Sequence, residues 1–186
     1  MSINETLTLI TSKMQKSIEA LQVELTKVRT GRAHPSLIER VMVSSYGSET
    51  PLQQMASIVA EDARTLVINA WDKSQVNAIE KAIAMADLGL NPAVQGTVIR
   101  VPLPALTQER RAHLAKLVKA SGEQCKIAVR NARRDALNTF KQLKKDKVVT
   151  EDDERQGQVR LQKLTDDFIV QVDKLVDQKQ DEITSV

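Results

Sequence analysis

Cys125 is the only cysteine among the 186 residues. A lone thiol excludes an internal disulfide framework and fits a reducing compartment. Aromatic residues make up 2% of the chain, too few for a platform on which single-stranded bases would stack. No apolar run approaches the ~20 residues of a membrane span. The start, MSINETLTLI, lacks the basic segment of a signal peptide and the Arg-rich pattern of a transit peptide. A bacterial-type cytoplasmic protein is therefore expected, with no membrane partner.

Catalytic chemistry is equally thin. His34 and His113 are the only histidines and lie far apart in sequence, and no serine or cysteine sits in a nucleophile motif. DLGLNP lacks the spacing of a phosphate loop and reads as a helix stop. Glu151 to Glu154, EDDE, are four successive first-turn positions that point in different directions, so a helix-capping role outweighs a metal site. Cys125 reads as a small core residue. No cofactor, metal or catalytic group is expected.

Three long amphipathic segments are present instead. Ile3, Leu7, Ile10, Met14, Ile18, Leu21, Leu25 and Val28 recur at steps of three and four, which predicts a helix ending near Arg29, before Gly31 and Pro35. A second runs from Thr107 to about Asp146 through Leu114, Leu117, Cys125, Ala128, Ala132 and Leu143. A third follows Thr150, a capping hydroxyl ahead of an acidic first turn, and continues through Leu161, Leu164, Phe168, Val172, Leu175 and Ile183. Three striped helices without other partners predict an antiparallel bundle.

Between the first two helices the pattern changes. RVMVSSY, RTLVINAW and TVIRVPL are β-branched runs, with PLQQMASIVA a weaker strand candidate and GSET and AEDA as turns. Asp72 is placed to cap a helix from Lys73 to Ala86, with Gln75 at the capping-box position. The expected class is α+β: residues 1–30 and 105–186 form the bundle, and residues 31–104 form an inserted β/α/β domain. Two crossings join them, near RTGR and VPLP; the hinge candidates are Thr30, Gly31, Arg32, Val101, Pro102, Leu103 and Pro104.

Charge is distributed unevenly. The net charge is +3, yet residues 104–147 hold twelve Lys/Arg against four Asp/Glu. On a helical wheel of about 100° per residue, Lys119, Lys126, Arg130, Arg133, Arg134, Lys141 and Lys144 fall on one face. The apolar residues cluster almost opposite. Charged helix faces are usually just solvated. Here few carboxylates stand at i,i+4 pairing positions, and a rod of about 60 Å suits contact with a nucleic-acid backbone. Arginines in RNARR add bidentate phosphate recognition.

VRTGRAHPSLIE, DLGLNP, IRVPLPALTQERR, VRNARRDA and LTDDFI resemble the ribosome recycling factor family, in the same order and at the same separations, over essentially the whole chain. The resemblance implies an L-shaped, tRNA-like outline and a monomer. It implies a non-enzymatic translation factor that works with elongation factor G and GTP to split the post-termination ribosome. Arg130 and Arg133 match arginines that contact large-subunit ribosomal RNA; Arg29 and Arg32 match a basic ribosome-facing pair. Ser45-Tyr46 before Gly47 and Ala70 before Trp71 depart from the family pattern; both lie in the insert. The alternative within the same class is a ribosome- or RNA-binding anti-association factor without recycling activity. A coiled-coil scaffold would leave the insert without purpose, and an RNA-modifying enzyme would need a pocket that the sequence does not show.

Overall fold

Ser2 starts the first helix. Its hydroxyl accepts from the Glu5 amide at 3.1 Å while its own amide donates to the Glu5 carboxylate at 2.9 Å. This reciprocal box satisfies two donors that a helix start leaves open. In the computed structural model, which describes residues 1–185, this helix is α1, Ile3–Thr26. It stops short of Arg29 because Lys27 and Val28 bond back to Glu24 and Leu25, tightening the last turn.

Helix α3 spans Gln108–Lys145 and α4 spans Glu151–Thr184. Lys147, at φ +58°, makes the reversal between them. Its amide bonds Lys144 O at 3.0 Å and the Val148 amide bonds Leu143 O at 3.0 Å, the paired closure of a Schellman motif. Asp135 of α3 meets Lys13 of α1 at 2.8 Å, and the Cys125 thiol donates to Ser17 O at 3.4 Å. Positions rising along α3 thus fall along α1, so the two are antiparallel. Lys126 and Lys144 of α3 meet Asp173 and Glu154 of α4, so α4 is antiparallel to α3 and parallel to α1, to which Arg160 donates at Asn4 Oδ1, 2.8 Å away.

The bundle core is built from Leu7, Ile10, Met14, Ile18, Leu21 and Leu25 of α1, with Leu161, Phe168, Val172 and Ile183 of α4. From α3 it takes Leu114, Val118, Cys125, Val129, Ala132, Ala136, Phe140 and Leu143. Two residues expected in the α3 stripe lie elsewhere: Leu117 is 45% exposed and Ala128 is exposed. With Lys126 at zero, the wheel positions of Leu114, Cys125, Ala132, Ala136 and Leu143 predict a buried face near about −110°; it centres near about −80°, some 30° closer to the basic residues.

The second unit, Thr30–Gln108, has its own core. Strands β1 (Met42–Ser45) and β2 (Ser48–Pro51) form a hairpin through Tyr46 and Gly47, both at positive φ as a type I′ turn requires. GSET is therefore mostly strand, its turn lying one residue earlier. Strands β3 (Ala56–Asp62), β4 (Thr65–Ala70), β5 (Ala93–Gln95) and β6 (Val98–Pro102) make an antiparallel sheet in the order β3-β4-β6-β5. Ile79 and Ile83 of α2 (Val76–Met85) join Leu66, Ile68, Ile99 and Val101 of the sheet in one apolar cluster. Asp72 does cap, but it caps a short 3-10 turn, Lys73–Gln75, that leads into α2, and the Gln75 side chain makes no cap bond. The Gln75 amide, bonded to Asp72 O at 3.0 Å, is already used.

Val101 and Pro102 pair with Leu66 and Thr65, and the Leu103 amide bonds Arg64 O at 2.7 Å. These three hinge candidates are fixed within the sheet, so any backbone freedom in that crossing lies beyond Leu103. Gly31 sits at φ +79°, and a Cβ there would stand 2.9 Å from Leu106 Cγ. The two crossings therefore touch, and only glycine fits where they do.

A Cβ on Gly122 would lie 2.5 Å from Val176 Cγ2, so glycine sets how closely α3 approaches α4. Helix propensity alone predicts that Gly122→Ala stabilises by about 1 kcal/mol. The contact predicts the opposite sign, because overpacking costs about 1–3 kcal/mol. Thermal melts should show Gly122→Ala below the parent and below Val176→Ala plus its propensity gain, with Gly122→Ala/Val176→Ala recovering stability. Additive effects in this cycle would remove the contact as the cause.

At the start of α4 the Thr150 hydroxyl and amide both donate to Asp153 Oδ2, at 2.6 and 2.9 Å. The hydroxyl bond, then the amide, hold the Asp153 carboxyl below the ordinary carboxylate range. A lowered folded-state pKa gives stability that is present above the unfolded pKa and lost as pH falls through the folded one. Thr150→Ala should therefore lower the melting temperature at neutral pH, and the gap from the parent should narrow as the solution is acidified below the ordinary aspartate range. A gap independent of pH would assign the loss to the helix cap alone.

Candidate nucleic-acid interface

Because α3 is one continuous helix, every side chain on its basic face is placed by the same core contacts. Lys119, Arg130, Arg134 and Lys141 are exposed. At about 100° per residue they lie between roughly +20° and +80°. Among the described residues, none of these four, nor Arg133, joins an ion pair. Four cations on one line over some six turns of helix, none of them held in an ion pair among the described residues, present an electrostatic surface suited to spaced phosphates.

The other positions on the wheel are not equivalent. The Lys126 side chain is 17% exposed, its ammonium 2.5 Å from Asp173 Oδ1 and 3.5 Å from Glu123 Oε1. The hydrogen bond to Asp173 is the main reason its pKa is raised. Lys144 lies 2.6 Å from Glu154 Oε2, and the bond to that carboxylate raises the Lys144 pKa as well. Glu154 itself is 5% exposed, so one of the four EDDE carboxylates is an inward-facing partner of α3 and not a helix cap. Arg133 is half-buried, with its Nε enclosed and without a hydrogen-bond partner. Both lysines stand at the shoulder where α3 meets α4, and Arg133 falls at nearly the same angle on the wheel. The face expected to be a single open stripe is thus divided into an open part and a part engaged by α4.

Sequence reasoning missed Asp173 and Glu154, which lie on another helix. A wheel of α3 has no means of seeing them. The acidic first turn of α4 was visible, but its inward-facing member was not.

Of the remaining candidates, Arg29 is exposed at the end of the first bundle segment, and Arg32 is exposed just inside the second unit. His34 is used locally: its Nδ1 accepts from the Ser36 amide at 3.1 Å. Cys125 is buried, and burial raises its pKa, away from the thiolate form that nucleophiles need. No group of acidic, cysteine or histidine side chains suited to a metal occurs among the described residues. No helix among them is long and apolar enough to cross a membrane.

A three-helix bundle whose chain is interrupted after its first helix by a small α/β domain defines the structural class: a two-unit helical factor with a cationic rod. The family model for ribosome recycling factor matches residues 21–184. The ribosome-recycling factor of Cupriavidus necator is 53% identical over 186 residues, covering 100% of both chains. That of Ralstonia pickettii is 56% identical over 174 residues, 94% of each chain. A solution structure of the ribosome recycling factor superposes with a TM-score of 0.69 at 39% identity, covering 100% of this chain and 99% of that one. The T. thermophilus ribosome recycling factor, described with E. coli elongation factor G bound to the E. coli post-termination complex, gives a TM-score of 0.62 at 42% identity over 98% of this chain and 99% of that one. The chain belongs to the ribosome recycling factor family.

Proposed function

We propose that this protein binds the post-termination ribosome through the open face of α3 and, with elongation factor G and GTP, disassembles that complex into subunits. The unpaired line of Lys119, Arg130, Arg134 and Lys141 carries the binding half of this reading. A backbone-directed surface of this kind recognises the spacing of phosphates more than base identity. Its partner is large-subunit ribosomal RNA, the contact that the family resemblance assigns to Arg130 and Arg133. Support for the disassembly half comes from a relative whose described complex contains both elongation factor G and the post-termination ribosome. Arg29 and Arg32 add a second basic contact, and the crossings at residues 30–31 and beyond Leu103 are where the two units would move.

Arg130→Glu and Arg134→Glu should each weaken ribosome co-sedimentation strongly at moderate salt, with helical circular dichroism unchanged. Each lost phosphate contact should reduce the magnitude of the salt slope by roughly 0.7–0.9, and the reversed charge adds repulsion. Arg133→Glu should weaken binding too, but with a lower melting temperature, because that side chain is half-buried. Unchanged ribosome affinity in both exposed variants would overturn the assignment of this face.

Subunit splitting, followed by light scattering, should require the protein, elongation factor G and GTP together. The Arg130→Glu variant should fail at concentrations that saturate the parent. Ribosome binding without splitting under those conditions would favour the anti-association reading.

A further inference from the structure

The open strip on α3 has a sharp edge on its α4 side, and that edge is made of carboxylates. A groove of about 230 Å³ between the two helices is lined by Lys119, Gly122, Glu123, Lys126, Asp173 and Asp177 among others. Three carboxylates there outnumber two lysines. Lys126 lies 18 residues from Lys144, five full turns of helix, so the two stand on one line. Both are engaged by α4: Lys144 by buried Glu154, and Lys126 by Asp173. The engagements differ in kind. Glu154 is 5% exposed, whereas the Asp173 side chain is 52% exposed and so accessible to solvent and salt.

We propose that Asp173 is a specificity-setting residue: it withholds Lys126 from phosphate, limits the cationic strip to the sector facing away from α4, and thereby holds down binding to RNA in general. This rests on the reading of α3 as the RNA-binding face. Two carboxylates hold the Lys126 ammonium, Asp173 at 2.5 Å and Glu123 at 3.5 Å. For phosphate to engage it, the ammonium must leave a short charge-assisted bond, and the phosphate must approach two carboxylates. Arg130, Arg134 and Lys141 face no such competition. A ligand whose phosphates follow the open sector is accepted. One that settles across the α3–α4 shoulder meets net negative charge. Discrimination then comes from a repulsive element beside an attractive one.

The probe is a 20-base-pair RNA duplex of arbitrary sequence, titrated against the full-length protein over a range of salt concentrations. Asp173→Asn should tighten duplex binding several-fold at low salt and steepen the salt slope by roughly 0.7–0.9, the mark of one added phosphate contact. Lys126→Met alone should leave the parent slope unchanged, because the lysine is already engaged. Added to Asp173→Asn, it should abolish the gain. Asp167→Asn removes one carboxylate from α4 outside the groove lining and controls for net charge; it should have a much smaller effect. Glu123→Gln should give a weaker version of the Asp173→Asn result and serves if that variant is poorly folded by circular dichroism. An unchanged slope in Asp173→Asn, a reduced slope in Lys126→Met alone, or an equal gain in Asp167→Asn would each overturn the proposal. Ribosome binding by Arg130→Glu and Arg134→Glu separates the two levels: if it is unaffected, the RNA-face reading itself has failed.

Discussion

Helix α3 must bury one face and charge another within a single 38-residue helix, and the rest of the structure depends on how those faces share its circumference. The middle of its buried face is made of small and medium side chains, Val118, Cys125, Val129, Ala132 and Ala136, with Leu114, Phe140 and Leu143 toward its ends. Gly122 removes a side chain altogether where Val176 comes closest. Close approach narrows the angle α3 needs for its core and leaves the remainder for charge. It also brings the α4 carboxylates within reach of the nearest lysines, so packing and electrostatics are set by the same contact.

The helical spans were legible because α1, α3 and α4 carry apolar residues at steps of three and four over many turns, and no glycine or proline interrupts that pattern early in α1. The fold class was legible for a related reason: β-branched runs break the helical period between residues 32 and 103. What escaped was set by pairing with a neighbouring strand and not by the segment's own residue pattern. Ser48–Pro51 is polar and becomes a strand through pairing with β1, and Ala93–Gln95 is three residues long and exists as a strand through pairing with β6. Neither has a pattern of its own to read.

The exposure of Lys119, Arg130, Arg134 and Lys141 could be read from the wheel, because exposure depends on which face of one helix is buried. The states of Lys126 and Lys144 could not. Each depends on a carboxylate supplied by α4, and the apolar count on α3 placed its buried face about 30° too far from them. That count left out Val118, Val129 and Phe140, which are buried and extend the core face toward the two lysines.

The chain leaves the bundle after one helix and returns to it only at Gln108. The Arg160–Asn4 bond spans 156 positions. On the ribosome that makes the chain, at roughly 5–20 residues per second, α1 is therefore finished many seconds before either helix that will cover Leu7, Ile10, Met14 and Ile18. The inserted unit has a complete apolar cluster within residues 38–101 and can close while α1 waits. The order of synthesis thus runs against the order of burial: the first helix made is among the last to be enclosed. Its polar positions, Glu5, Lys13, Lys16, Glu19 and Glu24, must keep it in solution until the other two arrive.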